Sequence, residues 1–164
     1  RLDLGFGSNG FADNNTLLSE SGFGGFRLWS SIDGGYMIHP RIGAGLWMGL
    51  NRRLSDPDNS SRLQEVAYFI AAQAPVHLWG SRDFSVQLTP RLGYATGKVE
   101  LGDDGGGEFK PGVMWGVGAS ALSYTYHLSG TVSFMRAQTS PPGAVGGDHD
   151  YGGLYFALGG IIGG

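Results

Sequence analysis

The sequence contains no cysteine, which excludes disulfide scaffolds, thiol nucleophiles and cysteine-ligated metals. Charge is sparse: 15% of residues, against about 25% in an ordinary soluble domain. No stretch approaches the ~18 consecutive apolar residues of a transmembrane helix, and a 3.6-residue period is almost absent, so helical membrane proteins and helix bundles both drop out. There is no basic excess either. The formal net charge is -3 and the pI about 5.7, so the electrostatic footprint of a nucleic-acid binder is missing. The opening residues Arg1-Leu2-Asp3-Leu4 lack the charged-then-apolar pattern of a signal peptide; if the chain is exported, a mature or trimmed form is expected.

What the chain has in excess is glycine, 31 of 164 residues. With no Gly-X-Y period, and with 41% hydrophobic residues, collagen and disorder are excluded and close-packed β structure remains. Period-two alternation runs through the chain and predicts eight strands in one domain, residues 1–164. They fall near 1–9, 24–38, 41–53, 64–78, 83–98, 110–123, 127–138 and 151–163. Short connections lie at Ile38-His39-Pro40-Arg41, Trp79-Gly80-Ser81-Arg82 and Ser123-Tyr124-Thr125-Tyr126. Long ones, rich in turn formers, lie near 10–22, 54–63, 99–109 and 139–150. Four long loops at one end and three short turns at the other put both termini at the short-turn end.

The two faces of these strands differ. One is long and nearly uncharged, as in Val66, Tyr68, Ile70, Ala72, Ala74, Val76 and Leu78. Ile42, Leu46, Val86, Leu88, Val132 and Leu158 continue it on other strands. The opposite face holds Asp3, Arg27, Asp33, Gln73, Gln87 and Arg91 among glycines and serines. The strands exceed the ~5–6 residues usual in globular sheets and suit a membrane crossing of ~9–11 tilted residues. A soluble lipocalin-like barrel or sandwich is the rival arrangement. Aromatics favour the membrane. Phe6, Phe26, Tyr68, Tyr94, Trp115 and Phe134 fall towards the long-loop end, and Tyr36, Trp79, Phe84, Tyr124 and Tyr126 at the short-turn end, as two interfacial belts would.

Pro40-Arg41-Ile42-Gly43-Ala44-Gly45-Leu46, Pro90-Arg91-Leu92-Gly93-Tyr94 and the closing Gly153-Leu154-Tyr155-Phe156-Ala157-Leu158, set in this strand and loop pattern, resemble the eight-stranded outer-membrane barrels of the OmpA/OmpX type over essentially the whole chain. The resemblance implies an all-β, eight-stranded antiparallel up-and-down transmembrane β-barrel in a bacterial outer membrane. The long loops would then be extracellular and the termini periplasmic. It also implies dependence on the barrel-assembly machinery for insertion. The end Ile161-Ile162-Gly163-Gly164 departs from a terminal aromatic, so a trimmed end or a following domain is expected.

Little chemistry stands out. Gly5-Phe6-Gly7-Ser8-Asn9-Gly10 matches G-x-G-x-x-G, but no helix follows, so it is not a dinucleotide site. His39, His77 and His127 fall near the short turns and read as interfacial polar residues rather than a three-imidazole metal site. His149, between Asp148 and Asp150, reads as part of a solvated acidic loop. With Ser140 it is the one conceivable start of a lipid-modifying catalytic centre at the loop rim. Neither metal nor cofactor is expected. Asp3, Arg27, Asp33, Gln73, Gln87 and Arg91, with Trp29 and Trp47, are expected to plug the lumen, with small wet cavities at Gly43, Gly45 and Gly49. Arg52, Arg53, Lys98, Lys110 and Arg136 are candidate contacts for lipopolysaccharide phosphates. The expected function is that of a monomeric, non-enzymatic anchor displaying loops at the surface; a narrow pore for ions or small solutes is the alternative.

Overall fold

The computed structural model describes residues 2–8, 26–53, 63–101, 106–139, 149–150 and 153–162. They are built from strands β1 (Leu2–Ser8), β2 (Phe26–His39), β3 (Ile42–Arg53), β4 (Leu63–Gln73), β5 (Val76–Gly80), β6 (Phe84–Leu101), β7 (Gly106–Glu108), β8 (Gly112–Ser123), β9 (Leu128–Thr139), β10 (His149–Asp150) and β11 (Gly153–Gly160). Every pairing is antiparallel, and sequence neighbours are neighbours in space. The last wall strand, β11, pairs with the first, Leu2 facing Gly160 and Ser8 facing Leu154, so the sheet closes on itself. Closure pairs the first and last wall strands, which an up-and-down sheet otherwise presents as edges with a row of unpaired amides.

Eight walls result because β4 and β5 act as one strand. Pro75 cannot donate, yet the ladder runs through it. Gly43 N donates to the Pro75 carbonyl and His77 N to the Arg41 carbonyl, both at 2.8 Å. The register is unbroken from Gly45 facing Gln73 to Ile42 facing Val76. Stepping once around the ring from Thr89, through Gly118, Ser133, Tyr155, Gly7, Arg27, Arg53 and Glu65, returns to β6 at Val99. That offset of ten residues sets the shear. At ~3.3 Å per residue along a strand and ~4.7 Å between eight strands, the strands tilt roughly 40° and the backbone cylinder has a radius of about 8 Å. Such a cylinder has room for side chains and little more.

Alternation sends the two faces where the sequence pattern puts them. Ile42, Leu46, Ile70, Leu88, Val132 and Leu158 are exposed on the outside, and Val66 and Val86 half-exposed beside them. Trp29, Trp47, Phe69, Met114, Met135 and Tyr155 are buried within. Tyr68, Tyr94 and Trp115 stand on the outer face towards the loop end; Tyr36, Trp79 and Tyr126 stand at the turn end. Trp115 packs against Phe134 with centroids 5.6 Å apart, and Trp79 meets Phe84 edge-on at 5.8 Å. The side chains of Phe6 and Phe26 lie outside the described residues.

At the loop end the structure departs from the expected loops. Instead of ending near Lys98, β6 runs to Leu101, paired with β4 down to Leu63. β7 folds back on it, with Lys98 facing Glu108. Likewise β10 extends the wall, His149 facing Thr139. Glycines 105–107 and the acidic pair before them suggest a loop to any local reading, but backbone bonding to the long edge of β6 turns the return segment into a strand.

Candidate functional site

The interior is organised around Arg91, on β6, only 5% exposed. Its neighbours in the ladder are Gln73 and Gly116. Its Nε donates to Gln73 Oε1 at 3.4 Å and its Nη1 to Ser133 Oγ at 3.1 Å. The guanidinium lies over the Trp47 ring, 4.8 Å from the centroid. A planar cation that both donates and stacks is stabilised where water is displaced. Gly118 makes space for it: a Cβ there would stand 3.2 Å from Nη1.

Towards the loop end the filling is aromatic. Trp29 and Trp47 stack at 5.4 Å with 17° between planes. Phe69 and Tyr155 close on Trp29 at 5.4 and 4.7 Å. Asn51 Nδ2 donates to the Tyr155 hydroxyl at 3.4 Å. Its own Oδ1, and the Ser85 hydroxyl near the other end, are buried with no hydrogen-bond partner among the described residues. Towards the turn end small polar residues take over: Ser31, Thr89, Ser120, Ser129 and Thr131, with Ser120 and Thr131 hydroxyls 3.0 Å apart.

Of the six residues expected in the lumen, Gln73 and Arg91 bond directly. Gln87 and Asp33 are half-buried on the same face, Asp33 opposite Trp47. Asp3 and Arg27 hold places in the ladder, opposite Ser31 and Gly7, but their side chains lie outside the described residues. The wet cavities expected at Gly43, Gly45 and Gly49 are not what those glycines provide. At Gly49 a Cβ would stand 2.6 Å from the Trp47 ring and 2.9 Å from Trp29. At Gly43 it would meet Pro75 at 2.9 Å, and at Gly45 the Gly34 carbonyl. Side chains at Gly43 and Gly49, and the neighbouring backbone at Gly45, occupy the space that a Cβ would take. Asn51, Phe69, Met114, Met135 and Tyr155 were not anticipated as filling. Parity alone could have found them, since each sits on the inward-facing register of its strand.

The basic residues expected at the rim divide. Arg52, Lys98, Lys110 and Arg136 are exposed at the loop end; the side chain of Arg53 lies outside the described residues. Arg52, Val66 and Lys98 share one row across β3, β4 and β6, and Arg136 faces Trp115. Lys98 is engaged by Glu108 at 2.8 Å. That hydrogen bond, and then the charge of Lys98, hold the Glu108 carboxyl below its ordinary value. Ser140, the partner suggested for His149, lies outside the described residues, and His149 enters only through its backbone pairing. No group of three or more potential ligands fit to hold a metal occurs among the described residues.

No family model matches the chain, and no curated protein does. Solved structures do. Neisserial surface protein A (NspA) superposes with a TM-score of 0.60 at 14% identity, over 96% of this chain and 91% of that one. Ail, the attachment invasion locus protein of Yersinia pestis, superposes at 0.52 and 13% identity, over 97% and 95%. Both are eight-stranded outer-membrane β-barrels. At that identity the likeness speaks for architecture alone, and there it agrees with closure, pairing order and strand number: this chain has the fold of the small eight-stranded outer-membrane β-barrels.

Proposed function

We propose that this protein spans a bacterial outer membrane as a non-enzymatic anchor, with its four long connections at the cell surface and its termini in the periplasm. The observation that carries the reading is the inversion of the two faces. Leu46, Ile70, Leu92 and Leu158 lie on the outside with half or more of their surface open, while Arg91 and Gln73 are buried inside. In water that arrangement wastes apolar burial; in hydrocarbon it places uncharged faces against lipid and polar groups against one another.

The lumen is read as occluded. A cylinder of about 8 Å backbone radius contains two stacked indoles, Phe69, Tyr155 and the Arg91 cluster across its section. Arg52, Lys110 and Arg136, exposed at the loop end with Arg136 level with Trp115 of the aromatic belt, are suited to donate to lipopolysaccharide phosphates by charge-assisted bonds. A monomer inserted by the barrel-assembly machinery completes the picture. The two structural neighbours are named as a surface protein and an attachment invasion protein, and display of loops at the surface fits that company.

Two measurements test this. Folded protein should need detergent or lipid to remain monomeric and should change gel mobility on boiling; a detergent-free soluble monomer would refute the membrane reading. Reconstituted into planar bilayers, it should be electrically silent; steady, large conductance would replace the occluded anchor with a pore.

A further inference from the structure

On the outer surface, between β2 and β3, the sheet carries a groove of about 480 Å³. Its walls are Ile32 and Tyr36 on one strand and Leu46 and Met48 on the other; Gly34 and Ala44 form its low point. All six are outward positions of the ladder, with Ile32 facing Met48, Gly34 facing Leu46 and Tyr36 facing Ala44. Gly34 leaves open space: a Cβ there would meet nothing within 4 Å. The floor is backbone held at close range, since a Cβ on the adjoining Gly35 would stand 2.5 Å from the Ala44 carbonyl oxygen. The groove is of a size that takes ligands, and its lining is mainly hydrocarbon, with Asp33, whose register is inward, the one charged residue among it.

Past the turn end of the groove, and outside its lining, the rim of the wall carries a cation. The β2–β3 turn presents Arg41, exposed and in no ion pair among the described residues. Arg41 N donates to His39 Nδ1 at 3.4 Å and His77 N donates to the Arg41 carbonyl at 2.8 Å, so the backbone that carries Arg41 is tied to its neighbours on both sides. Asp83, the acid of the next turn, is turned to Thr125, which donates to it at 3.3 Å. From Arg41 to Met48 is seven residues, about 23 Å along the strand, a span comparable with one extended acyl chain.

We propose that this groove and rim form a seat for one phospholipid of the leaflet at the short-turn end. One acyl chain lies over Gly34 and Ala44 between Tyr36 and Leu46, and the headgroup phosphate accepts from Arg41. Charge complementarity chooses the occupant. A purely apolar partner surface would leave Arg41 unanswered, whereas an anionic lipid satisfies both the hydrocarbon groove and the guanidinium. The proposal rests on the membrane reading above.

The test uses the intact folded protein in detergent, titrated with phosphatidylglycerol or phosphatidylcholine and read by native mass spectrometry, with gel mobility before and after boiling as the check on folding. Wild type should retain one phosphatidylglycerol and prefer it to phosphatidylcholine about tenfold. Gly34→Leu sets its Cβ in open space and directs the side chain into the groove, and should fold yet lose the lipid; Arg41→Gln should keep a lipid but lose the preference. Equal retention by wild type and Gly34→Leu would overturn the seat. So would a wild-type dimer that Gly34→Leu dissociates, because a second copy would then be the occupant. Protein that folds in detergent yet binds no lipid defeats this proposal alone; protein that folds as a monomer in plain water defeats the membrane reading itself.

Discussion

Gly49 lies on β3 two residues beyond Trp47, on the inward face, where the indole of Trp47 and that of Trp29 close over it. Replacing it by alanine puts a methyl carbon 2.6 and 2.8 Å from two atoms of the Trp47 six-membered ring and 2.9 Å from Trp29. The obstacle is not the end of a flexible chain. Trp47 is 1% exposed, stacked on Trp29 at 5.4 Å and covered on a face by Arg91 at 4.8 Å, so moving it disturbs the stack and the guanidinium together. Overpacking of this kind costs about 1–3 kcal/mol. Against it stands the reduced backbone freedom of alanine in the unfolded chain, worth roughly 0.5–1 kcal/mol. The expected net effect of Gly49→Ala is a loss of about 0–2.5 kcal/mol, centred on ~1 kcal/mol. In a Trp47→Phe background the two closest ring atoms are absent and only the 2.9 Å approach to Trp29 remains, so the same substitution should cost less. The coupling between the two sites is therefore expected to be positive in the sense of rescue and about 0.5–2 kcal/mol, part of the overpacking cost. Reversible urea unfolding in lipid vesicles, followed by tryptophan emission, measures all four corners of the cycle. Equal effects of Gly49→Ala in both backgrounds would refute the view that this glycine exists to admit the indole.

Arginine placed on the outer face should report depth. Val132→Arg, mid-strand between Leu128 and Arg136, should cost about 2–4 kcal/mol in a bilayer, whereas Leu128→Arg at the strand end should cost at most about 1 kcal/mol; equal small costs in vesicle unfolding would argue for a water-facing surface. Arg91→Ala removes the donor to Gln73 and Ser133 and should destabilise by at least about 1–3 kcal/mol, read as a lower urea midpoint; an unchanged midpoint would remove Arg91 from its place at the centre of the plug. The Lys98–Glu108 pair should make the β6–β7 hairpin pH-sensitive. Because the carboxyl of Glu108 is held below its ordinary value, its contribution is full above that ordinary value and fades as pH falls through the lowered one. Amide exchange in β7 should speed up on acidification in wild type and vary less with pH in Glu108→Gln; identical pH profiles would contradict the assignment.

Much of the fold is legible from residues alone because alternation is a local property. Strand number, the outward set from Ile42 to Leu158, the two aromatic belts and the short turns all follow from period two and from turn chemistry, which the backbone imposes within a few residues. The same logic marks Arg91 and Gln73 as inward. What parity cannot supply is the offset between strands. The ten-residue return from Thr89 to Val99 is a global condition of closure. It fixes the radius and decides which inward side chains share a level: Arg91 reaching Ser133 across β8, and Trp29 from β2 meeting Tyr155 on β11. It also reverses the meaning of the glycines, since Gly49 looks like a void along β3 and becomes the place where two indoles fit. The extension of β6 with β7, and the groove over Gly34, belong to the same class. Each depends on how one strand lies against another, and that is set by the closed sheet rather than by any segment of the chain.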